Sequence, residues 1–248
     1  MSVEGIDEVT FGATDLEACK RFFGDWGLTL LSESAQELVC ESLNGCRVIA
    51  ARSDKPGLPA GIEADPTLRE VVWGVESRAD LDAIRERIRH QPGFVDGAER
   101  IGCTDPNGLA VRVQVSRKRP VDIVGGKTNT WSERVRINQP APAYDRATPV
   151  EVGHVVFFVK DLAAMTAFYE QCLGFVVSDR YPNRGHFMRC APNGGHHDLF
   201  LLETPDKRVG LNHVAFTVRD GGSFSIASLD VAGGGSRWRQ AHDVRRVR

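Results

Sequence analysis

Two stretches of the chain share one pattern of apolar and polar positions. Val152–Lys160 and Leu211–Arg219 are both runs of β-branched and aromatic residues that end in a basic side chain. Such runs predict buried strands. Each carries one histidine near its start, His154 and His213, and each histidine is followed seven positions later by an aspartate, Asp161 and Asp220. One histidine on a core strand is most often a satisfied core residue. Two at the same place in two copies of a pattern point to a pair that meets in space.

The periodicity around these stretches repeats. Asp15, Leu16 and Ala18, then Phe22 and Phe23, then Gly27, match Asp161, Leu162 and Ala164, then Phe168 and Tyr169, then Gly174. Each set predicts a helix, capped by the aspartate and stopped at a glycine free to adopt positive φ. A strand precedes each helix (8–13; 154–160) and three follow it (28–32, 37–43 and 47–52; 175–178, 185–190 and 198–203). A third unit spans about 68–115. It has a strand at Glu70–Val75, a helix at Ala79–Arg89 with Leu81, Ile84 and Ile88 on one face, and a last strand after the Asp105–Gly108 turn. A fourth begins with the His213 strand. The expected architecture is α+β: tandem βαβββ units paired into two domains with curved, partly open mixed sheets. The expected boundaries are 1–117, a Pro- and Gly-containing linker at 118–149, and 150–248, with the paired histidines in the last.

The fourth unit reads as incomplete. Its helix region, Gly221–Leu229, has two leading glycines and weak periodicity. The interval from Glu70 to Arg112, carried to His213, passes residue 248. The tail from Arg237 has five arginines in twelve residues and no strand alternation. It reads as a truncated C-terminal end.

Composition narrows the class. The 248 residues carry a net charge of −2, with 42% apolar and 26% charged residues, an ordinary globular balance that gives no support for nucleic-acid or membrane-surface binding. No run approaches the roughly 18 apolar residues of a membrane span. The acidic N-terminus lacks a signal-peptide pattern, and the six cysteines show no CxxC spacing, so a cytoplasmic protein with reduced thiols is expected. Cys40 and Cys46 read as buried small residues rather than a metal pair.

The candidate chemistry lies in the histidines. The positions in the first half that match His154 and His213 are Glu8 and Glu70, so the first half lacks the imidazole pair. Neutral imidazole suits Fe, Zn, Cu and Ni, and two histidines with one carboxylate suit non-haem Fe(II). His197, beside a predicted strand mouth, suits proton transfer near neutral pH. His196 should point the other way along the strand and has no assigned role. His186 and Tyr181 are candidate pocket residues, as are Phe157, Phe187 and Phe200. His90 reads as surface.

These residues resemble a known family. Gly153–Val155 with Phe168 and Tyr169, Leu173–Phe175, Gly195–Leu199 and Leu211–Phe216 are similar to motifs of the vicinal oxygen chelate superfamily, nearest the two-domain extradiol ring-cleavage dioxygenases. The resemblance implies opening of a catechol or dihydroxybiphenyl with O2, with His154 and His213 as ligands of Fe(II), or alternatively Mn(II), and His197 as acid–base residue. It also implies a small aromatic diol as partner and a homo-oligomer. The family's third ligand, a glutamate on the last strand of the fourth unit, has no counterpart here. Glu203, Asp230, His242 and Asp243 are the replacement candidates. The alternatives are a glyoxalase-type isomerase, or a weakly active or inactive small-molecule binding protein of the same fold.

Overall fold

The structure is a computed structural model that describes residues 3–64, 66–123, 147–191 and 194–219. Its elements run β1 (Val3–Ala13), α1 (Leu16–Asp25), β2 (Thr29–Glu33), β3 (Glu37–Glu41), β4 (Arg47–Arg52), β5 (Thr67–Val75), α2 (Arg78–Ile88), β6 (Val95–Asp96), β7 (Arg100–Thr104) and β8 (Ala110–Val115). Then follow β9 (Pro149–Val159), α3 (Leu162–Phe168), a π-helical turn (Tyr169–Leu173), β10 (Val176–Tyr181), β11 (Gly185–Arg189), β12 (Leu199–Glu203) and β13 (Gly210–Val218). The strands form two open mixed sheets, ordered β2-β3-β4-β1-β5-β8-β7-β6 and β10-β11-β12-β9-β13. This is the α+β architecture that the repeat implies.

The repeat is visible in its caps. Asp15 and Asp161 hold φ of −133° alike, and each carboxylate accepts from the backbone N–H three residues on, at 2.9 Å. Gly27 and Gly174 take φ of +89° and +78°, the left-handed turn that stops each helix. β1 starts five residues before the expected Glu8, because the buried charges of Asp7 and Glu8 interrupt its apolar run.

One face of each sheet packs on helices. In the second sheet Val155, Phe157, Val159, Met188, Leu199 and Leu201 join Met165, Phe168 and Tyr169 in the core. Side chains alternate along a strand, so His154, Val156 and Phe158 lie on the opposite face. Phe157 is therefore core at 1% exposure and not a pocket residue. The two halves share apolar contact: the Trp73 ring sits edge-on to Phe175, with centroids 4.9 Å apart. Expectations that fall on 220–248, and most of those on the linker, lie outside the described residues.

Candidate metal centre

The two histidines meet. β13 runs antiparallel to β9, and the register sets His213 against Val156 and His154 against Ala215. The rings thus lie on a short diagonal across adjacent strands. Their Nε2 atoms are 3.1 Å apart. A bulge at Asn212, between the Leu211–Phe157 and His213–Val156 pairs, sets the facing of His213. Asn212 also orients that ring, because its Oδ1 stands 2.7 Å from His213 Nδ1 and accepts from it. That leaves Nε2 of His213 unprotonated and aimed at His154.

Burial keeps these rings neutral. Removal from water, helped by the His197 and His213 rings beside it, lowers the His154 pKa to about 4. Burial alone lowers that of His213. Two nitrogens each about 2.1 Å from one ion, at right angles about it, stand roughly 3.0 Å apart. The separation of the two Nε2 atoms, their neutral state and the Asn212 contact therefore suit a divalent metal held between them.

His197 completes the cluster, with its ring centroid 4.4 Å from that of His154. Burial, then the neighbouring His196, lowers its pKa against the opposing pull of Asp198. Phe187 and Phe200 stack with planes 8° apart and centroids at 4.0 Å, and Phe187 also touches the His197 ring at 5.0 Å. An apolar wall thus flanks the imidazoles.

Residues 151–229 match the family model of the Glyoxalase/Bleomycin resistance protein/Dioxygenase superfamily. A biphenyl-2,3-diol 1,2-dioxygenase of Pseudomonas sp. (strain KKS102) is 29% identical over 123 residues, which cover 46% of this chain and 41% of that protein. The Mn(II)-bound glyoxalase from Novosphingobium aromaticivorans superposes with a TM-score of 0.69 at 23% identity, over 94% of this chain and 72% of that one. The 2,2',3-trihydroxybiphenyl 1,2-dioxygenase from Sphingomonas wittichii strain RW1 gives 0.65 at 18% identity, over 94% and 79%. The chain has the fold of this superfamily.

Within that fold the first half keeps the geometry of the pair but not its chemistry. β1 and β5 set Glu8 against Val72 and Glu70 against Thr10, the same diagonal as His154 and His213. Arginines fill the space between. Arg100 grips Glu8 through both guanidinium nitrogens at 2.9 and 3.2 Å, Arg117 reaches Glu8 at 2.7 Å, and Arg112 reaches Glu70 at 3.2 Å.

Other sequence expectations divide. His196 does not point away: its Nδ1 lies 3.0 Å from that of His197, because both residues precede β12 in an irregular loop where strand alternation does not hold. His186 is on the helix side of β11, where its Nδ1 bonds the Thr166 hydroxyl at 2.9 Å, so it does not line the histidine face. Tyr181 is half exposed at the end of β10, and His90 is exposed on the surface. Cys40 and Cys46 are buried free thiols, with Cys40 pushed up by burial to about 11.

The replacement carboxylate is not at the pair among the described residues. Glu203 accepts from the Leu162 N–H at 3.1 Å and pairs with Lys207, which commits it to the start of α3. Asp230, His242 and Asp243 lie outside the described residues. No group of three or more His, Cys, Asp or Glu suited to a metal occurs among the described residues. Sequence reading missed Asn212, which had only the weak signal of an acceptor beside a candidate ligand.

Proposed function

We propose that the chain is an extradiol ring-cleavage dioxygenase for a catechol-type aromatic, of the dihydroxybiphenyl or catechol kind, using Fe(II) or Mn(II) and O2. His154 and His213 hold the metal and His197 is the acid–base residue. The observation that carries this reading is the 3.1 Å approach of the Nε2 atoms of two neutral rings on adjacent strands, with a third imidazole packed at a tilt alongside.

A divalent ion held there would acidify the diol hydroxyls and bring diol and O2 together. The protein's own groups do the rest. Burial keeps the His154 and His213 rings neutral, so each has one unprotonated ring nitrogen to offer. His197, also held neutral, accepts a hydroxyl proton of the bound diol and returns it to the ring-opened product. Phe187 and Phe200 give the aromatic ring an apolar wall and keep water from the face it covers. A homo-oligomer is part of the proposal, and sedimentation would read it. No described helix is long and apolar enough to cross a membrane.

The test is anaerobic loading of the purified chain with Fe(II) or Mn(II), then O2 with a panel of catechols. Yellow ring-opened product is expected from the wild type, with none from His154→Ala or His213→Ala. A folded, metal-loaded chain that opens no diol would overturn the reading. Metal-dependent isomerisation of a thiohemiacetal without O2 uptake would move it to the glyoxalase side of the superfamily.

A further inference from the structure

β13 carries His213 but is weakly held within its own half. It pairs with β9 on one side, and among the described residues no strand pairs with its other edge. Its apolar residues Leu211, Val214, Phe216 and Val218 are only part buried, whereas the matching strand β5 is buried almost throughout. The bulge beside His213 adds a further degree of freedom, because Asn212 stands outside the ladder.

The first half supplies what is missing. The Glu63 side chain, from the loop ahead of β5, reaches across to the start of β13. Its Oε1 accepts from the Leu211 N–H at 2.8 Å and from the Thr67 hydroxyl at 2.9 Å. Thr67 opens β5, so one oxygen ties the start of β5 to the start of β13. Gly210 leaves room for the contact: it has φ of +156°, and a Cβ there would lie 2.4 Å from Glu63 Oε2 as the side chain now stands. A second brace lies farther along β13, where Trp26 meets Phe216 edge-on at 5.9 Å.

We infer that Glu63 is a positioning residue for the second half's metal site, fixing the bulge from which His213 reaches His154. The metal part of this inference rests on the function proposed above; the positioning part does not. It gives the first half a task. The amide it anchors lies at one end of the bulge, so releasing it lets Asn212 and His213 shift together. Partners that orient a metal-binding imidazole typically change metal affinity 10–100-fold.

The experiment compares the full chain with Glu63→Ala and Glu63→Gln. Gln keeps a carbonyl oxygen able to accept both hydrogen bonds, whereas Ala keeps none. Two readouts are taken on each protein: the nuclear Overhauser contact between the His154 and His213 ring protons in metal-free protein, and the Kd for Co(II). In Glu63→Ala the ring contact should vanish and Kd should rise at least tenfold; Glu63→Gln should restore both to near wild type. A ring contact that persists in folded Glu63→Ala overturns the positioning role, as does Glu63→Gln behaving like Ala. Should wild type bind no Co(II) while the ring contact still depends on Glu63, the positioning role stands and the metal reading falls.

Discussion

Arg112 stands 3.2 Å from Glu70 at the first half's counterpart of the histidine pair. It comes from β8, the parallel neighbour of β5. The first half thus shows that a residue on that neighbouring strand can reach the position that His213 occupies in the second half. There the two carboxylates, Glu8 and Glu70, are paired with guanidinium groups.

The three imidazoles should separate by role. His154→Ala and His213→Ala should each abolish tight metal binding. His197→Ala should keep metal affinity within a few-fold and lower turnover by about 100-fold or more, the usual range for losing an acid–base group. Metal titration and single-turnover product formation on the same samples check this.

Acid should destabilise the site through His154. Its pKa is about 4 folded against an ordinary 6.5, so the unfolded chain takes up the proton first as pH falls. Its contribution to stability is complete above pH 6.5 and is lost as pH falls toward 4. Thermal melts of the metal-free protein at pH 7.5, 5.5 and 4.5 should show a steeper loss for wild type than for His154→Gln. Parallel curves would refute this.

Glu8 is the group whose partners matter most in the first half. Burial pushes its pKa up, but Arg100 and then Arg117 outweigh that and leave it lowered. Its contribution is present above its ordinary pKa and is lost as pH falls below it. Arg100→Ala should cost about 2–3 kcal/mol at pH 7, below the full figure for a broken buried pair because Arg100 is one-third exposed and Arg117 remains. Urea unfolding measures it, and Glu8→Gln on the Arg100→Ala background should recover part of the loss.

Asp105 should act in the opposite sense. Its Oδ1 accepts from the Asn107 and Leu109 N–H groups at 2.9 Å, yet burial dominates and raises its pKa to about 7. The folded chain therefore holds the proton more tightly than the unfolded one. That contribution is full below pH 3.8 and is lost as pH rises through 7. Asp105→Asn keeps the acceptor without the charge. It should raise the melting temperature at pH 8 relative to wild type, and by less at pH 5.

Much of this was legible in the chain because it repeats. The strand–helix phase of Glu8–Asp25 recurs at His154–Leu173, and caps at Asp15 and Asp161 follow from local chemistry that any Asp before an amphipathic turn supplies. The meeting of His154 and His213 was legible because antiparallel neighbours with matched patterns bring equivalent positions together. His196 was misread because strand alternation was extended into a loop. Phe157 was misread because facing depends on which side the helices cover. Glu63 was invisible because a carboxylate that caps a backbone amide in a distant strand leaves no periodic trace.

The central claim is that His154 and His213 together hold a divalent metal. Anaerobic equilibrium dialysis of Fe(II) against wild type, His154→Ala, His213→Ala and the double variant tests it most directly. We predict one ion per wild-type chain, retained through buffer exchange, and loss in each single variant as complete as in the double. Equal iron retention by all four proteins, or none by a folded wild type, would contradict it.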